Sequence, residues 1–185
     1  MSNLFNLVLL LLYHYGKTLE HKTKLQKLMY FLSIKMKKNF GYDPHLYGPY
    51  SYEVENALND LVSLNFLSMK SIKLGENIER GFEIKKYSYT INADGKKLAK
   101  YLEEKELKGT SKEIKDFIDK IKEIGDPDYF NLSIAAKAYF ILNEKKKPLS
   151  QDEIIRIAEQ FNWKIKGNDL QQSAKILKDL GLINN

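Results

Sequence analysis

Near the N-terminus apolar residues recur every three or four positions, at Leu4, Phe5, Val8, Leu11, Leu12 and Tyr15, which predicts a helix. Gly16 closes it, as a residue able to take the left-handed C-cap conformation. A second helix is expected over residues 22–37. Its apolar face is Leu25, Leu28, Met29, Leu32 and Met36, and its other face carries Lys22, Lys24, Lys27, Lys35 and Lys38. Residues 39–51 are rich in turn signals, with Gly41, Asp43-Pro44 and Gly48-Pro49. A third helix over 51–64 places Val54, Leu58, Leu61 and Val62 inside.

After Asn65 the apolar period drops from 3.6 towards 2. Residues 66–74 and 82–90 then read as the arms of a β-hairpin with a long polar tip. A helix follows from about Ala93, with Asn92 or Asp94 as its cap. Three helices and a hairpin is the order of a winged helix-turn-helix, expected over residues 1–108. Thr110 and Glu113 make a capping box for a helix to Ile124, with Ile114, Phe117, Ile118 and Ile121 on one side. Residues 109–125 are thus a linker whose apolar seam either packs on its own chain or joins a second copy.

Gly125-Asp126-Pro127-Asp128 breaks that helix and opens a second, helix-turn-helix-like unit over 126–185. Its helices are expected at 133–142, from a Ser150/Glu153 capping box to Phe161, and at 169–180, with a lysine-rich loop over 143–148. A faint repeat links the two units: Leu61-Val62-Ser63-Leu64-Asn65-Phe66-Leu67 resembles Leu177-Lys178-Asp179-Leu180-Gly181-Leu182-Ile183. In each, Asn or Gly stands where a left-handed residue ends a helix. The fold class expected is mainly α, in the α+β sense.

Composition narrows the chemistry. The 185 residues contain no cysteine, which excludes disulfides, thiolate metal sites and cysteine nucleophiles. The net charge is +6, and residues 1–108 hold 17 Lys and Arg against 12 Asp and Glu. Of the cations only Arg80 and Arg156 are arginine. Lysine is a hydrated point charge and suits phosphate better than base edges. Leu7–Tyr13 is apolar throughout, yet the uncharged stretch ends by Gly16, short of the about 20 residues of a membrane span. It also lacks the basic leader and cleavage site of a signal peptide. A buried helix in a cytoplasmic protein with no membrane contact is expected.

No catalytic constellation stands out, so no enzyme, metal or cofactor is expected. His14, His21 and His45 show no metal-ligand spacing, and the ten glycines form no phosphate loop. His14 reads as a core or boundary histidine; His45, in the Pro44–Ser51 turn, is either structural or a switch. Twelve tyrosines are many, and Tyr42, Tyr47, Tyr50 and Tyr52 crowd one turn. They serve either loop packing or recognition by stacking.

Two of these stretches are similar to known sequences. Lys24-Leu25-Gln26-Lys27-Leu28-Met29-Tyr30-Phe31-Leu32 resembles the LQKL helix of the YwgA-like family, and Tyr47-Gly48-Pro49-Tyr50-Ser51 resembles its YGPYS turn. The Panacea antitoxin domain shares the LQKL and GP elements. The resemblance covers roughly residues 4–67; it implies a winged-helix fold and, through the Panacea likeness, a protein-binding role in neutralising a toxin, and it supports the fold better than DNA binding. It implies no catalytic residue.

Two functions follow as expectations. A transcriptional regulator would bind double-stranded DNA, as a homodimer by the habit of such proteins. Its usual reading helix, 51–64, carries Glu53, Glu55 and Asp60 and no cation. The DNA contacts are therefore expected from Lys70, Lys73, Arg80, Lys85 and Lys86 of the hairpin and from Gln171, Gln172, Lys175 and Lys178 of the last helix. The alternative is a protein-interaction module, antitoxin-like or an adaptor, that meets a toxin or regulator through Tyr47, Tyr50, Tyr52, Glu53 and Glu55.

Overall fold

Asn3 accepts a hydrogen bond from the Asn6 N–H at 2.9 Å and so starts α1, Leu4–Tyr15. The computed structural model describes residues 3–77 and 82–184. Gly16, at φ +79°, closes α1 by donating its N–H to the Leu12 carbonyl, as its sequence position implies. Leu7 to Leu12 are all enclosed, so this helix is apolar on every side because it is covered on every side. β1, Leu19–Glu20, is too short to show an alternation in sequence.

Next come α2, Lys22–Lys35, then β2, Tyr42–His45, and β3, Gly48–Ser51. The last two form an antiparallel hairpin with Leu46 and Tyr47 as its two-residue loop. Residues 39–51 were expected as turns. Two prolines conceal the strands, because Pro44 pairs with Pro49 where neither supplies an N–H. α3 is Tyr52–Ser63, with Val54, Ala57, Leu58 and Leu61 buried.

β4, Leu67–Asn77, and β5, Phe82–Ile91, pair antiparallel from Leu67↔Ile91 outward, with an irregularity between Lys73 and Gly75. β1 adds to β5 at Leu19↔Tyr89 and gives a three-stranded sheet of order β1-β5-β4. Asn92 caps α4, Ala93–Tyr101, accepting from the Gly95 N–H at 2.9 Å. A Cβ on Gly95 would lie 2.3 Å from the Phe66 carbonyl oxygen, so only glycine admits this contact.

A π-helical turn over Leu102–Glu106 leads into α5, Lys108–Glu123. α5 starts ahead of Thr110, which therefore lies inside the helix and is not its cap; the expected Thr110/Glu113 box does not form the start. Ile114, Phe117, Ile118 and Ile121 are at most 2% exposed within the single chain. The chain itself closes that apolar seam.

α6 is Tyr129–Lys145, longer at both ends than expected. Asp128 caps it early, and the lysines of the expected loop extend it to Lys146, which ends it at φ +51°. The Ser150/Glu153 capping box opens α7, Gln151–Gln160, as read from sequence. α8 is Gly167–Asp179.

The faint repeat has a physical basis. Asn65 at φ +59° and Gly181 at φ +68° each end a helix. The Phe66 N–H bonds to the Leu61 carbonyl and the Asn65 N–H to that of Val62; Leu182 to Leu177 and Gly181 to Lys178 repeat the pattern. Both are Schellman endings.

The protein is thus mainly α-helical with small antiparallel sheets, an α+β chain. It divides into two compact units, Met1–Leu25 with Glu53–Ile118, and Gln26–Tyr52 with Asp119–Asn185. Each unit draws together segments distant in sequence. The first unit holds the three-stranded sheet, α1 and α4. The second is built on α6, which packs against α7, α8 and β3. Among the described residues no helix is long and apolar enough to cross a membrane.

Candidate functional site

The β2–β3 hairpin is held by side chains that bond its main chain. Gln26 donates from Nε2 to the Ser51 carbonyl at 2.9 Å and accepts the Ser51 N–H on Oε1 at 3.0 Å. One side-chain amide thereby completes a strand-like pair of bonds. Lys27 Nζ donates to the Pro49 carbonyl at 2.6 Å. The Ser51 and Ser133 hydroxyls donate to the carbonyls of Phe40 and Tyr47, and Trp163 Nε1 donates to that of His45 at 2.6 Å. The carbonyls of residues 40, 45, 47, 49 and 51 are therefore all claimed by side chains of the second unit.

Lys27 departs most from the sequence reading. It was expected on a solvated face, yet it is fully buried, and Lys24 is 7% exposed. Lys137 is 7% exposed as well. Its Nζ lies 5.7 Å from the centre of the Trp163 ring. Neither Lys27 nor Lys137 has a carboxylate partner among the described residues. Burial pushes the Lys27 ammonium down to about 7, and the charge of Lys137 adds to the effect. Burial lowers Lys137 too. The Lys27 amine is sealed in and bonded to a carbonyl, so it serves as a clamp and not as a nucleophile. The signal missed was sequential: Gln26-Lys27 and Gly48-Pro49 form one structural unit, which a helix-face reading splits apart.

Gly48 completes the arrangement. Its φ is +95°, and a Cβ there would lie 3.0 Å from Lys137 Cγ and 3.4 Å from the Ser133 carbonyl oxygen. The Tyr42 hydroxyl, on the same hairpin, is buried with no hydrogen-bond partner among the described residues. Its ring packs edge-on against Tyr30 at 5.0 Å.

The hairpin's loop faces outward. Leu46 is 60% and Tyr47 52% exposed. The His45 and Tyr50 rings lie 5.0 Å apart, and Tyr50 meets Tyr52 edge-on at 5.4 Å. Tyr52 is exposed. The tyrosine cluster thus divides: Tyr42 packs, while Tyr47 and Tyr52 are presented. Of the two carboxylates expected beside them, Glu53 is exposed, and Glu55 is held by Lys22 at 2.5 Å.

The expected nucleic-acid residues fall into two groups. In the first unit, Lys73 stands directly opposite Lys85 across the β4–β5 ladder, and both are exposed. Lys70 and Lys86 lie at alternate positions, on the other face of the hairpin. Lys86 is tied to Glu20 at 2.6 Å. Arg80 lies outside the described residues. In the second unit, Gln171, Gln172, Lys175 and Lys178 are all exposed on α8. Gln171, Lys175 and Lys178 share one stripe by their four- and three-residue spacing.

A further cluster was not anticipated. His14 Nε2 lies 2.7 Å from Ser111 Oγ and 3.7 Å from Glu103 Oε1. Residue types alone suggest a hydrolytic relay. The geometry does not make one, because serine and carboxylate meet the same ring nitrogen and Ser111 is fully buried. His14 is half-buried, in keeping with the core-or-boundary reading of its apolar helix. Among the described residues no group of His, Asp or Glu is placed to hold a metal ion.

No protein-family model matches the chain, and no curated protein matches it.

Proposed function

We propose that this is a DNA-binding protein of the winged-helix type, a non-enzymatic regulator that meets the phosphate backbone through its β4–β5 hairpin. The order α1-β1-α2-β2-β3-α3-β4-β5, with β1 paired to β5 and the β2–β3 hairpin set between α2 and α3, supports that fold reading. The observation that carries the function is the pair Lys73↔Lys85. Two exposed lysines side by side on one face offer a phosphate two cationic contacts, and each contact releases counterions. The exposed face of α3 carries Glu53, Asn56, Asn59 and Asp60 and no cation, so the hairpin leads and α3 does not. Gln171, Lys175 and Lys178 offer a second contact. Such a regulator works in the cytoplasm and, on a palindromic operator, as a homodimer.

The resemblance to YwgA-like and Panacea sequences belongs to the same proposal. What favours it is that Gln26 and Lys27 of the one motif hold Pro49 and Ser51 of the other. Paired motifs gain a reason to occur together.

One observation favours a second reading, the protein-interaction module. Leu46 and Tyr47 are presented on a hairpin whose main chain is held by five side-chain donors and acceptors. Such a preordered apolar tip loses little entropy on binding a protein. Binding to a random duplex and to the gene's own upstream DNA, across a salt series, separates the two. Upstream-preferring binding with a steep salt slope supports the regulator. No binding at low salt overturns it and turns attention to a protein partner at the Leu46–Tyr47 tip.

A further inference from the structure

An open cavity of about 740 Å³ lies among α6, α7 and α8 of the second unit. Small-molecule sites commonly span roughly 300–1,000 Å³. Its lining includes the buried aliphatic residues Ala138, Ile154, Leu170 and Leu177, while Leu149 and Leu182 are half-buried. The charge of the lining is one-sided. Among the described residues two charged side chains line it, Lys146 and Lys147, both exposed, and no carboxylate does. That is notable in a chain with 24 Asp and Glu. Lys146 is fixed in place as the left-handed residue that ends α6, its N–H bonded to the Leu142 carbonyl at 2.9 Å.

We infer that this cavity binds an amphipathic anion of the alkanoate class, its alkyl chain on the aliphatic lining and its carboxylate at Lys146 and Lys147. A wall that is aliphatic apart from Tyr139, Pro148 and a few amide side chains supplies affinity in proportion to the apolar area removed from water. It cannot orient a ligand. The two cations supply orientation, and among the described residues no carboxylate lines the cavity itself. Neutral Asn143 and Gln151 at the lining are compatible with the same head group. The inference is independent of DNA binding, since neither the cavity nor its test involves nucleic acid.

The test is calorimetric titration of the full chain with sodium hexanoate, octanoate and decanoate below their micellar concentrations, and with 1-octanol. The expected result is one saturable site whose affinity rises roughly threefold to fourfold per added methylene. Octanoate should bind several-fold more tightly than 1-octanol. Lys146→Glu combined with Lys147→Glu, both on the surface, should weaken decanoate by about tenfold or more. Ala174→Phe fills the cavity and should abolish binding; Leu149→Trp, at the half-exposed edge, does the same if the first variant does not fold. The inference is overturned if decanoate shows no saturable binding. It is equally overturned if 1-octanol matches octanoate, or if the double charge reversal leaves the affinity unchanged.

Discussion

Lys27 Nζ lies 2.6 Å from the carbonyl oxygen of Pro49, and the lysine is fully buried. A helix residue thus holds, by a single amine, the strand of a hairpin 22 positions further along the chain. The arrangement carries an electrostatic cost, because the ammonium has lost its water and faces a second cation, Lys137.

That cost should be visible as pH dependence. The Lys27 pKa is about 7 in the folded protein against 10.5 for the free side chain. Between those values the unfolded chain binds more protons than the folded one, so stability rises with pH across this window. Below about 7 the penalty is fully present and constant. Urea midpoints measured from pH 6.5 to 9.5 should therefore climb. In Lys27→Met the climb should be shallower, with Lys137 supplying the remainder, since burial lowers it in the same direction.

Gly48→Ala should destabilise by roughly 1–3 kcal/mol, from a strained positive φ and the crowding against buried Lys137. Gly109→Ala is the opposing control. Gly109 lies in the first turn of α5 with nothing within 4 Å of its added Cβ, and should gain up to about 1 kcal/mol. Urea denaturation of both variants reads the two signs directly.

Tyr42→Phe should stabilise the protein by about 1 kcal/mol, because it removes a buried hydroxyl that has no hydrogen-bond partner among the described residues. Thermal melts at neutral pH check this. A loss of stability would mean that the hydroxyl is satisfied in solution.

These positions show where sequence reasoning reaches and where it stops. Gly16, the Ser150/Glu153 box and the paired Asn65 and Gly181 helix ends were legible because each is a local device whose partners lie within a few residues. The alternation of residues 66–74 and 82–90 was legible for the same reason. The burial of Lys27 and Lys137 was not, because helical periodicity assigns a lysine to solvent unless a distant partner is known. β1 escaped notice because two residues carry no period, and β2–β3 because proline counts against a strand. Thr110 and Glu113 had the spacing of a cap, but α5 begins at Lys108, and local spacing cannot decide between two nearby starts. Of the candidate site, the residues of the hairpin and of α8 were legible as exposed polar positions. That Lys73 faces Lys85 required the register, which the irregularity before Gly75 hides.

The central claim is that the β4–β5 hairpin meets phosphate. The most direct measurement is the slope of log binding constant against log salt concentration for a duplex, in the wild type and in the Lys73→Ala, Lys85→Ala double variant. Each lysine–phosphate contact contributes about 0.9 to that slope. The account predicts a shallower slope in the variant, by roughly 1–2, with weakened binding to every sequence tested. An unchanged slope would contradict it.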